Sequence, residues 1–321
     1  MKNQVHGFTF PPQKAPLPLP GGALLDFSRP LVMSIVNVTP DSFYRQSRNS
    51  RPGGALKAAL QAEEDGADIV DFGAESTRPG SDYVSPEMEL SRLIPVLKDF
   101  RRLSKLPVSV DTRKALVAGA ALDEGADIIN DISALADPDM AALAAGRGAA
   151  LVLMHMRGSP KTMRIIAEEK EKAGTEALAI VGEVRDFLSA AAEKAAAVGI
   201  RKEKIIVDPG IGFGKTLGEN LILLNRLAET CPPDYPVLVG LSRKSFIGAL
   251  TGREAEERLA GTLAAQAAAL FGGADILRVH DTRPARDLVR VIHSLRLSTK
   301  TPAEFWKSLG TKKHDVVPGN S

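Results

Sequence analysis

Eight short apolar runs punctuate this chain, and each stops at or beside a polar residue able to do chemistry. The runs cover residues 31–38, 67–72, 107–110, 128–129, 150–154, 205–207, 237–241 and 276–279. Their polar ends are Asn37, Asp71, Asp111, Asn130, His155, Asp208, Ser242 and His280. Strands buried on both faces read as near-continuous Val, Ile and Leu, and helices covering both faces of a parallel sheet produce that burial. Helix-period segments alternate with the runs, at 54–65, 86–103, 114–124, 171–198, 217–230, 254–271 and 283–297. Leu217, Leu221, Leu224 and Leu227, for example, recur at helical spacing. Residues 156–204 read as a mobile loop followed by a long helix. Strict alternation excludes all-α and all-β classes. Eight strands favour a single closed (β/α)8 TIM barrel over an open doubly wound sheet, so the expected class is α/β. In such a barrel the carboxyl ends of all strands meet at one mouth, where active sites are built.

A barrel of this kind needs about 250 residues, which leaves two ends of the 321-residue chain unspent. Residues 1–23 are polar and carry Pro11, Pro12, Pro16, Pro18 and Pro20, which predicts an extended, mobile arm. The barrel is expected over 24–297. Residues 298–321 form a loose tail in which Phe305 and Trp306 can dock on the body. Gly-Ala-Asp recurs at three helix-to-strand joints, at 66–68, 125–127 and 273–275. Glycine just past a helix adopts the left-handed conformation cheaply. A net charge of +2, from 41 basic and 39 acidic residues, gives no electrostatic case for nucleic acid or a membrane surface. Cys231 is the only cysteine, so no disulfide can form within the chain. No apolar stretch reaches the roughly 18 residues a membrane span requires, and no secretory apolar region opens the chain. A cytoplasmic location is expected.

The chemistry sits in the segments that follow the runs. They read Asn37-Val38-Thr39-Pro40-Asp41-Ser42-Phe43, Glu75-Ser76-Thr77-Arg78-Pro79-Gly80, Asp111-Thr112, Asn130-Asp131, Met154-His155-Met156, Asp208-Pro209-Gly210-Ile211-Gly212-Phe213-Gly214-Lys215, Ser242-Arg243-Lys244 and Arg278-Val279-His280. Two lookalikes fail. A Walker phosphate loop needs glycine where Pro209 stands, and a dinucleotide fingerprint needs glycine where Lys215 stands. Met154-His155-Met156 suits packing against a flat apolar ligand better than soft-metal binding.

Taken in this order, the segments resemble the dihydropteroate synthases of the pterin-binding barrel family, from about residue 24 to 297. That resemblance implies the reaction: the amine of p-aminobenzoate displaces pyrophosphate from a dihydropterin ester. It implies Asp208, Asp111, Asn130, Met154 and Lys244 around the pterin. A carboxylate accepts two adjacent N–H donors at once, and an amide meets a mixed donor and acceptor edge. The competing reading of Asp111 and Asp208 is that each caps the helix after it. Thr77, Arg78, Arg278 and His280 are implied at the pyrophosphate. Arg278 and His280, two apart on a strand, face one side; a structural histidine is the alternative for His280. Phe43, Pro79, Phe213 and Ser242 are implied at p-aminobenzoate, with a helix starting near Ser242 offering N–H groups to its carboxylate. Asp41, Lys244, Arg278 and His280 are implied in catalysis, Asp41 as the stabiliser of a pterin cation.

Asn37 matches the metal-contacting position, which implies Mg2+ bound together with pyrophosphate; a loop-capping role is its alternative. A homodimer and sensitivity to sulfonamides are also implied. The chain departs from the family pattern after Phe43, where Tyr44-Arg45-Gln46-Ser47 replaces Ser-Asp-Gly-Gly, and at Ala74, where glycine is common. A methyltetrahydrofolate-dependent corrinoid methyltransferase of the same superfamily would keep Asp111, Asn130 and Asp208. It would have no need of Arg278, His280, Lys244 or the Thr77-Arg78 loop.

Overall fold

The computed structural model describes residues 11–38, 53–173 and 177–298. A two-residue antiparallel hairpin, β1 (Leu17–Pro18) against β2 (Leu24–Leu25), opens the described chain. The eight apolar runs then become eight parallel strands. These are β3 (Leu31–Asn37), β4 (Ile69–Gly73), β5 (Val108–Asp111), β6 (Ile128–Asp131), β7 (Ala150–Met154), β8 (Ile205–Asp208), β9 (Leu238–Gly240) and β10 (Ile276–Val279). Their spatial order is β8-β7-β6-β5-β4-β3-β10-β9, and a parallel bridge from Val207 to Val237 joins the two ends into a closed barrel. The expected α/β TIM barrel is therefore the fold observed.

Helices line the outside, as the right-handed crossover between parallel strands requires. They are α1 (Gly53–Glu64), α2 (Pro86–Leu103), α3 (Ala115–Asp123), α4 (Met140–Arg147), α5 (Met163–Ala173), α6 (Ala179–Ala197), α7 (Leu217–Asn225), α8 (Leu227–Thr230), α9 (Ser245–Thr251), α10 (Leu259–Phe271) and α11 (Thr282–Leu297). Several differ from the sequence reading. The continuous helix over 171–198 is two helices, since α5 ends at Ala173 and α6 starts at Ala179. The helix over 217–230 breaks at Arg226, whose φ of −114° and ψ of 33° lie outside the helical basin. No helical period marks α4 in the sequence, because its eight residues, MAALAAGR, are too short and too rich in alanine to show a stripe.

The inner half of the arm also differs. Leu17 and Leu19 do not trail in solvent. With Leu25 and Phe27 they are buried against Met33, Ile69, Ile206 and Ile276, forming the floor of the barrel. The prolines are tolerated because the hairpin is only two residues long and stands outside the barrel sheet, so a missing N–H costs it little. Leu17 is fully buried. Leu17→Ala is expected to cost about 3 kcal/mol of stability, by lost transfer energy and the cavity left behind. Urea unfolding measures it; an unchanged midpoint would mean the hairpin does not seal the floor.

The Gly-Ala-Asp repeats act as staples. Gly66, Gly125 and Gly273 take φ of 91°, 91° and 103°, which turns the chain from helix into strand. Each aspartate then binds the start of the neighbouring strand twice. Asp68, Asp127 and Asp275 donate their N–H to the carbonyls of Val32, Val108 and Val237, each at 2.8 Å. Their carboxylates accept the N–H groups of the same three valines at 2.9 Å. The floor is thus fixed at three points, and the opposite end is left for function.

Candidate active site

Four strands converge on one buried ionic network at the mouth. Arg278 on β10 donates through Nε to Asp71 of β4 at 2.7 Å and through Nη2 to Asp111 of β5 at 2.6 Å. Asn130 of β6 donates to the same Asp71 oxygen at 3.2 Å. Asp71 is fully buried, and Asp111 and Asn130 nearly so. Each carboxylate keeps one buried oxygen, Oδ1, without a hydrogen-bond partner among the described residues. Burial lifts the Asp111 carboxyl to about 7; Arg278 opposes this and Asp71 adds to it. Burial would loosen the Arg278 proton, but Asp71 and Asp111 outweigh it and raise the guanidinium above its ordinary value. Nη1 of Arg278 meets no protein acceptor among the described residues.

The pairing register brings the remaining strand ends to the same level. Asn130 lies beside Asp111, and Met154 beside Asp208. Asp208 is buried, and its Oδ1 accepts the N–H of Gly210 at 2.7 Å. That contact closes a local turn; the following helix α7 is capped by Thr216, so Asp208 is not the helix cap of the competing reading. The second oxygen accepts no protein hydrogen bond among the described residues. Burial raises the Asp208 carboxyl against the pull of Gly210, Lys244 and Lys215.

The segment after Asp208 folds tightly onto the end of β7. A Cβ on Gly210 would stand 1.9 Å from the His155 carbonyl oxygen, so only glycine fits there. The buried Lys215 amine donates to the carbonyls of His155, Gly210 and Phe213 at 3.0, 2.7 and 3.1 Å. Burial pulls this amine down to about 7, yet the three acceptors match the three N–H groups of an ammonium. Phe213 is thereby presented to Lys244, whose Nζ stands 4.0 Å from the ring centroid and also donates to the Ile211 carbonyl. Burial draws Lys244 to about 7, with Asp208 holding the proton on. His155 is buried, edge-on to Phe187 at 4.9 Å between ring centroids, with Nε2 3.5 Å from Glu183. It belongs to the packing behind the mouth.

Cations gather at the rim. His280 is open to solvent, although the walls crowd its ring. That crowding and the charges of Arg278, Arg243 and Arg78 hold its imidazole below the ordinary histidine range. Thr77 is half-buried and Arg78 and Pro79 are exposed, in the loop between β4 and α2. Asn37 ends β3, half-buried, level with Gly73. Ser242 is corrected in one respect. Its Oγ accepts the His280 N–H at 3.2 Å, and the following helix α9 begins three residues later, at Ser245. The N–H groups expected near Ser242 therefore belong to the exposed Ser245 end. Asp41 and Phe43 lie outside the described residues.

Residues 33–280 match the model of a protein family described as pterin binding enzyme. The dihydropteroate synthase of Synechocystis sp. is 42% identical over 289 residues, covering 89% of this chain and 96% of the relative. This chain belongs to the pterin-binding enzymes, among the dihydropteroate synthases. The same architecture recurs in solved structures. The Xanthomonas albilineans dihydropteroate synthase with 4-aminobenzoic acid superposes with a TM-score of 0.79 at 41% identity, over 87% of this chain and 98% of that one. The Burkholderia cenocepacia enzyme complexed with 7,8-dihydropteroate gives 0.79 at 39% identity, over 89% and 98%.

Two residues escaped the sequence reading. Asp71 was seen as a strand end but given no partner. Its contact with Arg278 spans 207 residues, and no local pattern announces it. Lys215 was noted only to exclude a phosphate loop, although a lysine among three glycines signals a backbone that folds around an amine.

Proposed function

We propose that this chain joins 6-hydroxymethyl-7,8-dihydropterin pyrophosphate to p-aminobenzoate, giving 7,8-dihydropteroate and pyrophosphate. One observation carries the reading: Arg278 touches Asp111 while Asn130 and Asp208 face the same mouth, so pterin-edge acceptors adjoin an anion-binding cation. Asp208 offers its uncommitted oxygen to the amino-pyrimidine edge. Asn130 meets the mixed donor and acceptor atoms beside it, and Asp111 closes the far side of the ring against Met154. Lys244 addresses the exocyclic oxygen and ring nitrogen.

The aniline nitrogen of p-aminobenzoate attacks the methylene carbon, so no protein nucleophile is needed. As the C–O bond breaks, charge grows on the departing pyrophosphate. The Nη1 edge of Arg278, with His280, Arg78 and the Thr77 hydroxyl, is aimed to receive it. Phe213, Pro79 and the stem of Lys244 enclose the aminobenzoate ring. Its carboxylate lies toward the start of α9, with Phe43 contributing from the first loop. Asp41 on that loop stabilises a pterin cation, and both early loops exclude water.

Asn37 supplies a single hard oxygen, and among the described residues no group of three His, Cys, Asp or Glu side chains can hold a metal. This donor set fits an Mg2+ that arrives on the diphosphate and keeps most of its waters, with Asn37 as its protein ligand. Bound there, the ion would neutralise charge on the leaving diphosphate. No helix among the described residues is long and apolar enough to cross a membrane. A cytoplasmic homodimer with small-molecule substrates, and no nucleic acid partner, completes the reading.

Purified protein supplied with both substrates should release labelled pyrophosphate in step with dihydropteroate, only with Mg2+ present. Sulfonamides should compete with p-aminobenzoate in the same assay. No product at saturating substrates would reject the synthase reading; activity indifferent to sulfonamides would mean a remodelled aminobenzoate pocket.

A further inference from the structure

Beside the mouth lies a second buried ionic cluster that the reaction does not use directly. Glu75 follows β4 in sequence, at the base of the loop that carries Thr77 and Arg78. Its carboxylate is nearly buried. It accepts from Arg113 Nε and Nη2 at 3.1 and 3.0 Å, from Lys114 Nζ at 3.0 Å and from the Val84 N–H at 2.9 Å. Lys114 also donates to the fully buried Glu89 of α2 at 2.6 Å. The Tyr83 ring covers both cations, at 5.2 Å from Arg113 and 4.6 Å from Lys114.

Two buried carboxylates, one bidentate guanidinium and one ammonium form an expensive arrangement. Replacing such a set with apolar residues is often neutral or stabilising, so stability alone does not account for it. Its connections suggest another role. Glu75 and Val84 bracket the loop, and one carboxylate ties both ends together. Arg113 and Lys114 stand two and three residues past Asp111, at the exit of β5. The cluster therefore fastens the Thr77-Arg78 loop to the segment that presents Asp111. Within the loop, Ser81 Oγ lies 2.6 Å from the Ser76 carbonyl and 2.8 Å from that of Arg78. The tip is held from the other side, where the Gly80 N–H donates to the Pro160 carbonyl at 2.8 Å.

We infer that Glu75, with Lys114 and Ser81, is a positioning residue that sets Thr77, Arg78 and Pro79 over the mouth without touching substrate. The inference rests on the proposed synthase reaction. It assigns the cluster to the aminobenzoate and diphosphate end of the site and leaves reading of the pterin edge by Asn130 and Asp208, on β6 and β8, independent. Mutating it should therefore separate binding of the pterin ring from binding of aminobenzoate, which a general folding defect would not do.

The test uses the full chain with Glu75→Gln and Ser81→Ala. Gln keeps the shape of Glu75 but gives up its charge; Ser81 is half-buried in a loop, so its truncation leaves the core intact. Displacing a positioning group by about an ångström costs on the order of a hundredfold in rate. Each variant should therefore show a rise of roughly tenfold or more in the aminobenzoate KM, with a fall in kcat. Calorimetric affinity for the diphosphate-free pterin alcohol, which offers nothing to Thr77 or Arg78 in the proposed reading, should stay within about twofold of wild type, a change of less than 0.5 kcal/mol. Lys114→Arg, which keeps the cation, should retain more activity than Lys114→Met. Should Glu75→Gln fail to fold, Ser81→Ala decides alone. Active wild type with an unchanged aminobenzoate KM in Ser81→Ala would overturn the inference and leave the reaction standing. Pterin affinity falling in parallel with aminobenzoate affinity would overturn it too. Wild type without synthase activity would overturn both.

Discussion

Arg278→Met will lower kcat/KM by at least a hundredfold and will also destabilise the fold, more at pH 8 than at pH 5. The kinetic part follows from aim. A donor directed at charge that develops in the transition state is worth about 10²–10³ in rate, and the proposed reaction gives the Nη1 edge of Arg278 to the leaving diphosphate. The stability part follows from the partners left behind. Asp71 and Asp111 are buried and share this one guanidinium. Removing one member of a buried pair costs about 3–5 kcal/mol, because the other charge stays uncompensated.

The pH dependence has a definite sign. Asp111 already holds its proton up to about 7 with Arg278 in place. Without Arg278 its folded pKa rises further above the unfolded value. The folded state then binds more protons than the unfolded state across that window, so stability falls as pH climbs through it. At pH 5 the Asp111 carboxyl can take up a proton and spare the fold; at pH 8 that relief is largely gone. Thermal unfolding at both values checks this. An equal loss at the two pH values would show that Asp111 does not depend on Arg278. Arg278→Lys should fall between, since an ammonium keeps charge but cannot fork across two carboxylates.

What the sequence made legible was local. A strand buried on both faces writes its apolar run in consecutive residues, so all eight barrel strands could be found, within a residue or two at their ends. Gly-Ala-Asp marked three joints because a left-handed glycine after a helix is a local requirement. The polar residues at the strand ends followed from the fold, since a parallel barrel delivers them to one mouth. What stayed hidden was relational. Nothing near Asp71 says that its partner is Arg278, and nothing near Glu75 says that Arg113 and Lys114 will close around it. The burial of Leu17 and Leu19 was masked by the prolines beside them, whose composition reads as a tether. The start of α9 was misplaced by three residues because Arg243, with a φ of 58°, makes a turn before the helix begins. A left-handed arginine leaves no sequence mark; its cost is met by the Asp281 carboxylate at 3.0 and 2.6 Å.

Asp208→Ala should weaken the pterin ester about a hundredfold or more and change aminobenzoate affinity by far less. A hydrogen bond to a charged group contributes about 1.5–3 kcal/mol, and in the proposed reaction the amino-pyrimidine edge offers this carboxylate two adjacent donors. The alanine variant alone is ambiguous, however. Asp208 Oδ1 also accepts the Gly210 N–H, and the turn it caps carries Phe213 toward the aminobenzoate side. Asp208→Asn separates the two roles. Its amide oxygen can still take the Gly210 N–H and hold the turn. Its amide nitrogen then turns a donor toward the donors of the pterin, where the carboxylate had offered an acceptor. If the carboxylate reads the pterin edge, Asn should be nearly as harmful to pterin binding as Ala, while aminobenzoate affinity stays at the wild-type level. If capping were its whole purpose, Asn would restore both. Calorimetry of each ligand against the two variants decides between them, and recovery of pterin affinity in Asp208→Asn would remove this residue from the recognition of the heterocycle.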